Sequence, residues 1–188
     1  MTSSSTNSID AAGLSLIAKA LRLASEKHVN QRRKDAAASP YINHPIRLFE
    51  LLVSVGGITD PEVLCGALLH DTVEDTQTTK AELEGLFGAV IASIVMEVTD
   101  DKSLPKAERK RQQVLHAGSI STKAKLVKLA DKICNLQDVL HSPPDRWDLQ
   151  RRQEYFDWAG HVVDRLRGTH PALESEFDAI FARRPTSA

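Results

Sequence analysis

Six of the seven residues from Val63 to Leu69 are apolar, Gly66 being the exception, and the run ends in His70-Asp71-Thr72-Val73-Glu74-Asp75. A segment this apolar on every side belongs in a buried helix, so His70 and Asp71 emerge from the core rather than from a loop. If the helix continues, Glu74 lies one turn beyond His70, and Asp75 one turn beyond Asp71. Four ionisable groups at the mouth of a buried helix are costly unless a cation or an opposite charge satisfies them. Two arrangements would do so: a metal held by His70 and Asp71, or Lys and Arg side chains packed over the helix end.

The rest of the chain is punctuated as helices. Leu14, Ile17, Leu21 and Ala24 mark one face of a first helix, with His28 on the same stripe. Pro45 reads as a first helical position with His44 at the entrance, and that helix stops at Gly56-Gly57. Thr59-Asp60-Pro61-Glu62 opens the central helix, and Thr79-Lys80-Ala81-Glu82 is a capping box for a short one ending at Gly88. Further helices follow over 90–98, 105–118, 122–140 and 146–166. The last begins at His170-Pro171, with Leu173, Phe177, Ile180 and Phe181 on one side. No segment sustains period-two alternation. The expected fold is therefore all-α, a single bundle of eight to nine helices over residues 10–182, with a flexible start at 1–9 and a loose tail at 183–188. Any site must form between packed helices.

Charge bears on function through its distribution. The net charge is −1, which argues against general nucleic-acid or membrane adhesion. Residues 60–101 nevertheless hold ten acids against Lys80 alone, while residues 102–132 hold nine bases against Glu108 and Asp131. An acidic block followed by a basic one makes either two solvated faces or carboxylates for a metal and cations for an anionic substrate. Cys65 and Cys134 sit inside apolar patterns with no CxxC spacing, as reduced core residues do. The Ser/Thr-rich start lacks the marks of a signal peptide, and the longest apolar stretch, Ala89–Val98, is too short to span a bilayer. A cytoplasmic location is expected by elimination.

A further candidate is Asp131, in Lys128-Leu129-Ala130-Asp131-Lys132-Ile133-Cys134-Asn135. It lies at the edge of an apolar face formed by Leu126, Leu129, Ala130, Ile133 and Leu140, with Asn135 one turn on. It is either paired with Lys128 or Lys132, or it is a metal ligand. His44 is either a helix cap packed on Tyr41 or a ligand, and His28 packs in the core or bonds a loop carbonyl. Two histidines and two aspartates form a donor set that suits Mn²⁺, Fe²⁺ or Zn²⁺.

His44, the His70-Asp71 pair and Asp131 resemble the pattern of HD-domain metal phosphohydrolases. More narrowly, Arg32–Asp35, Pro40–Pro45, Ala67–Thr76, Val98–Lys102 and Lys125–Lys132 resemble the hydrolase domain of RelA/SpoT-type enzymes, and among them the stand-alone small alarmone hydrolases. The resemblance covers residues 10–182. It implies removal of the 3′-pyrophosphate from guanosine 3′,5′-bispyrophosphate (ppGpp) or pppGpp with one Mn²⁺ per chain, giving GDP or GTP and pyrophosphate. It implies His44, His70, Asp71 and Asp131 as ligands and Glu74 and Asp75 as catalytic carboxylates. Arg33, Lys34 and Tyr41 would bind nucleotide, Lys102, Lys106 and Arg109 would face phosphates, and Asn135 and Tyr155 would contact the nucleotide. Ala36-Ala37-Ala38-Ser39 stands where related sequences often carry a glycine. Synthetase and ribosome-linked functions are not expected. Two other readings remain: an HD-type phosphatase of another nucleotide (a 5′-nucleotide or NADPH), and a non-catalytic alarmone sensor. The oligomeric state is not legible.

Overall fold

The computed structural model describes residues 8–186. Most of the expected flexible start, and the last two residues of the expected loose tail, lie outside them. Among the described residues the chain forms α1 (Ala11–Lys27), α2 (Asn43–Ser54), α3 (Pro61–Leu69), α4 (Thr72–Asp75), α5 (Lys80–Phe87), α6 (Ala89–Val98), α7 (Lys106–His116), α8 (Thr122–His141), α9 (Leu149–Asp164) and α10 (Pro171–Phe181). α4 is a single turn that resumes α3 after a break at His70-Asp71, so the two read as one interrupted helix in an all-α bundle of nine. The only strand-like pairing among the described residues is an isolated bridge between Arg32 and Pro40.

The caps sit where the side chains ask for them. Asp60 accepts from the Glu62 N–H with Pro61 at the first position of α3, and Thr79 accepts from the Glu82 N–H. α2 departs from expectation by starting at Asn43, because the His44 N–H already bonds the Tyr41 carbonyl at 3.0 Å. His44 is thus held inside the first turn rather than at its entrance.

α3 and α8 make the centre. Every residue of α3 from Val63 to Leu69 is buried, and α8 buries eleven residues on several faces. Gly66 explains itself here: a Cβ at this position would lie 2.6 Å from Ile94 Cγ2, so only glycine lets α6 approach α3 this closely. α1 is turned from the expected face. Gly13, Ile17, Ala20, Leu23 and Ala24 are buried, while Leu14 is 56% and Leu21 38% exposed. The small residues win the interface because Gly13 abuts Pro61 of α3, where a Cβ would lie 2.7 Å from the Pro61 ring. The start of the expected loose tail is tethered: Arg184 pairs with Asp157 at 2.7 and 2.8 Å, and the Pro185 carbonyl accepts from Gln153. No helix among the described residues is long and apolar enough to cross a membrane.

Candidate metal centre

Three elements deliver the centre. His44 comes from α2, His70 from the break between α3 and α4, and Asp131 from α8, and together they offer ligand atoms all within 4.8 Å of one another. His44 Nε2 is 3.2 Å from Asp131 Oδ1, and His70 Nε2 is 4.0 Å from the same oxygen. Asp71 lies outside this trio. Its Oδ2 is 2.8 Å from His70 Nε2 and accepts the Tyr41 hydroxyl.

The tautomer of His70 tests whether a cation fits. His70 Nδ1 is 2.8 Å from the Ala67 carbonyl, which can only accept, so Nδ1 carries a hydrogen. On a neutral ring Nε2 is then a lone pair, buried among carboxylates without an aligned hydrogen bond. A positive charge is favoured there: burial lowers the pKa of His70, but Asp71 and Asp131 outweigh it and lift it to about 9. His44 goes the other way, its pKa lowered by burial, and its Nδ1 is buried without a partner. Neutral imidazole beside carboxylate is the donor chemistry of a divalent-cation site. The residues present fit such an ion.

Asp131 adopts the Lys132 pairing, one of the two arrangements its sequence leaves open, and still turns its other oxygen to the histidines. Its Oδ2 accepts from the buried Lys132 ammonium at 2.9 Å, while Oδ1 faces His44 and His70 and accepts from Asn135 Nδ2 at 2.5 Å. Burial would raise the pKa of Asp131, yet Lys132 and the two histidines hold it well below the carboxylate range. A carboxylate can bridge a salt bridge and an ion because its two oxygens point apart.

The neighbouring acids are unequal. Glu74 Oε2 accepts the Asp100 N–H at 3.0 Å. Burial, joined by the charges of Asp100, Asp71 and Asp75, raises its pKa to about 7. A carboxyl poised there suits a general base near neutral pH. Both oxygens of Asp75 are taken: Oδ2 accepts from Gln31 Nε2 at 2.8 Å, and Oδ1 from Lys102 Nζ. Asp75 therefore ties the 28–42 loop to the α6–α7 turn.

The trio and Asp71 line a recess of about 180 Å³ that shares walls with a cleft of about 720 Å³. The cleft follows α8 from Asn135 past Asp138 to Ser142. Arg33, Lys34, Tyr41, Lys102 and Arg109 line it, as do Asn135 and Tyr155. Lys106 does not. It stands close by, where burial and the charges of Arg151, Lys34 and Arg109 lower its pKa. Tyr155 packs between Trp147 and Trp158, each ring centre 5.2 Å away and tilted by 54° and 58°. Tyr41 is walled in by neighbours rather than presented as a platform, with His28 at 4.8 Å and the Arg33 guanidinium 5.5 Å from its ring. His28 is buried as expected but bonds the Gln31 side chain at 2.6 Å, not a loop carbonyl.

Gln31, Arg47 and Asp138 also line the cleft, although no motif in the sequence marks them. Asp138 accepts from Arg33 and Arg47 at once, clasping the 28–42 loop and α2 to α8. The available signal was spacing, since Asp138 lies seven residues after Asp131 and so on the same face of α8.

Residues 20–156 match the HD domain family. Among curated proteins, guanosine-3′,5′-bis(diphosphate) 3′-pyrophosphohydrolase MESH1 of Danio rerio is 56% identical over 169 residues, covering 90% of this chain and 94% of that protein. The Homo sapiens protein of the same name is 53% identical over 166 residues, covering 88% and 93%. A solved structure described as a metazoan ortholog of SpoT that hydrolyzes ppGpp superposes with a TM-score of 0.88 at 48% identity, covering 92% of this chain and 97% of that one. Fold, centre and relatives agree: the chain belongs to the HD-domain family, in the group that holds the metazoan MESH1 hydrolases.

Proposed function

We propose that this chain is a Mn²⁺-dependent hydrolase that removes the 3′-pyrophosphate from guanosine 3′,5′-bis(diphosphate), leaving GDP and pyrophosphate, with residues 10–182 as its catalytic unit. The observation that carries the reading is the His44/His70/Asp131 trio at the head of a cation-lined cleft, with a carboxyl of pKa about 7 beside it. Relatives at this identity, named for that reaction, support it.

His44, His70, Asp71 and Asp131 would hold the ion. A divalent cation there supplies charge neutralisation for the phosphate and a lowered pKa for water. Glu74 takes the proton from the attacking water, its raised pKa matching that task. The oxygen of that water joins the 3′-phosphorus as the bond from phosphorus to the ribose 3′ oxygen breaks, and the 3′ oxygen ends protonated. Asp75 acts beside Glu74 by holding Lys102 at the mouth. Lys102, Arg109 and Lys34 offset the charge of the phosphates, with Lys106 adding to the field behind them. Arg33, Asn135 and Tyr155 orient the nucleoside, and Tyr41 backs Arg33.

The test is incubation with ppGpp and Mn²⁺, with and without chelator. GDP and pyrophosphate in equal amounts, abolished by chelator, are expected. Orthophosphate release would make the protein a phosphatase instead, and binding without turnover would make it a sensor.

A further inference from the structure

The Tyr41 hydroxyl donates to Asp71 Oδ2, the same oxygen that lies 2.8 Å from His70 Nε2. The ring that carries this hydroxyl is fixed on several sides. The His28 ring centre lies at 4.8 Å, that of His44 at 6.1 Å in an edge-on contact, and the Arg33 guanidinium at 5.5 Å. These neighbours are themselves anchored, Arg33 by Asp138 and His28 by Gln31. The hydroxyl is therefore delivered at a set point.

Asp71 needs such a partner more than the other ligands do. His44 and Asp131 are already within 3.2 Å of each other, and Asp131 is braced by Lys132 and Asn135. His70 is braced by the Ala67 carbonyl. Asp71 lies outside the preformed trio, at a break between helices, and its side chain caps no helix. A donor on one lone pair of Oδ2 selects the rotamer and leaves the carboxylate's other lone pairs for the His70 side.

We propose that Tyr41 is a positioning residue of the metal centre, its hydroxyl holding Asp71 in the orientation from which it completes the ligand set. The proposal rests on reading the centre as a divalent-cation site. It also couples the nucleotide cleft to the ion, since Arg33 lies on the face of the ring whose hydroxyl orients a ligand.

The test is Tyr41→Phe, which keeps the ring and its packing and removes one hydroxyl. Mn²⁺ binding to the metal-free protein, followed by electron paramagnetic resonance without substrate, should weaken about 10–100-fold. The Tm in chelator should fall only by the few degrees that one lost hydrogen bond to a carboxylate costs, and added Mn²⁺ should refill the site. Asp71→Asn serves as the second variant: because Tyr41 acts through Asp71, adding Tyr41→Phe to it should weaken Mn²⁺ binding no further. Wild-type Mn²⁺ affinity in Tyr41→Phe overturns the proposal and leaves the metal site standing. A raised KM with unchanged Mn²⁺ affinity also overturns it, making Tyr41 a substrate contact. Failure of the wild-type protein itself to bind Mn²⁺ would remove the centre and this proposal together.

Discussion

Replacing Glu74 by Gln separates its proton chemistry from its packing, because the amide retains an oxygen for the Asp100 N–H. In the folded chain Glu74 titrates near 7, against 4.5 for a free glutamate. Between those values the folded state binds more protons than the unfolded state, so Glu74 contributes stability below about pH 4.5 that is lost as pH rises through about 7. The full difference corresponds to at most about 3 kcal/mol, and solvent screening of a half-buried carboxyl reduces this to about 1–2 kcal/mol. Gln mimics the protonated form at every pH. Urea unfolding in chelator should therefore find Glu74→Gln equal to wild type at pH 4 and more stable by about 1–2 kcal/mol at pH 8. In the same variant Mn²⁺ binding should persist while kcat falls about 10²–10⁴-fold. A stability difference that does not change with pH would refute the buried, poised carboxyl. Wild-type turnover would remove Glu74 from the chemistry.

Other perturbations probe the surrounding frame. Asp131→Ala should abolish Mn²⁺ binding and, by leaving the buried Lys132 ammonium unpaired, cost about 3 kcal/mol of stability in urea melts. Adding Lys132→Met should recover the stability but not the metal. Asp138→Asn releases Arg33 and Arg47 from their shared anchor, and should raise the KM for ppGpp about tenfold with kcat little changed. A fall in kcat alone would argue against this. Ala38 adopts a left-handed backbone at φ 46°, so Ala38→Gly should raise the unfolding free energy by up to about 1 kcal/mol, read by thermal melting.

The helices were legible because their signals are local. Asp60-Pro61, Thr79 to Glu82 and His170-Pro171 each cap a helix within four residues of chain, and the apolar run from Val63 to Leu69 admits only burial. The individual chemistry of His44, His70, Asp71 and Asp131 was legible too, since donor type belongs to the residue. What the chain order could not state is proximity. His44 and Asp131 lie 87 residues apart and meet only because α2 and α8 pack together. Hydrophobicity alone misjudged α1, where Gly13 and Ala20 take the interface and Leu14 and Leu21 face out, because close helix approach rewards small side chains over greasy ones. Tertiary structure likewise decided that Asp75 is engaged while Glu74 is poised, and that Asp131 faces Lys132 with one oxygen and the two histidines with the other. Local sequence sets which groups a helix carries and where it starts. Burial and through-space charge, which depend on every other helix, set what those groups do.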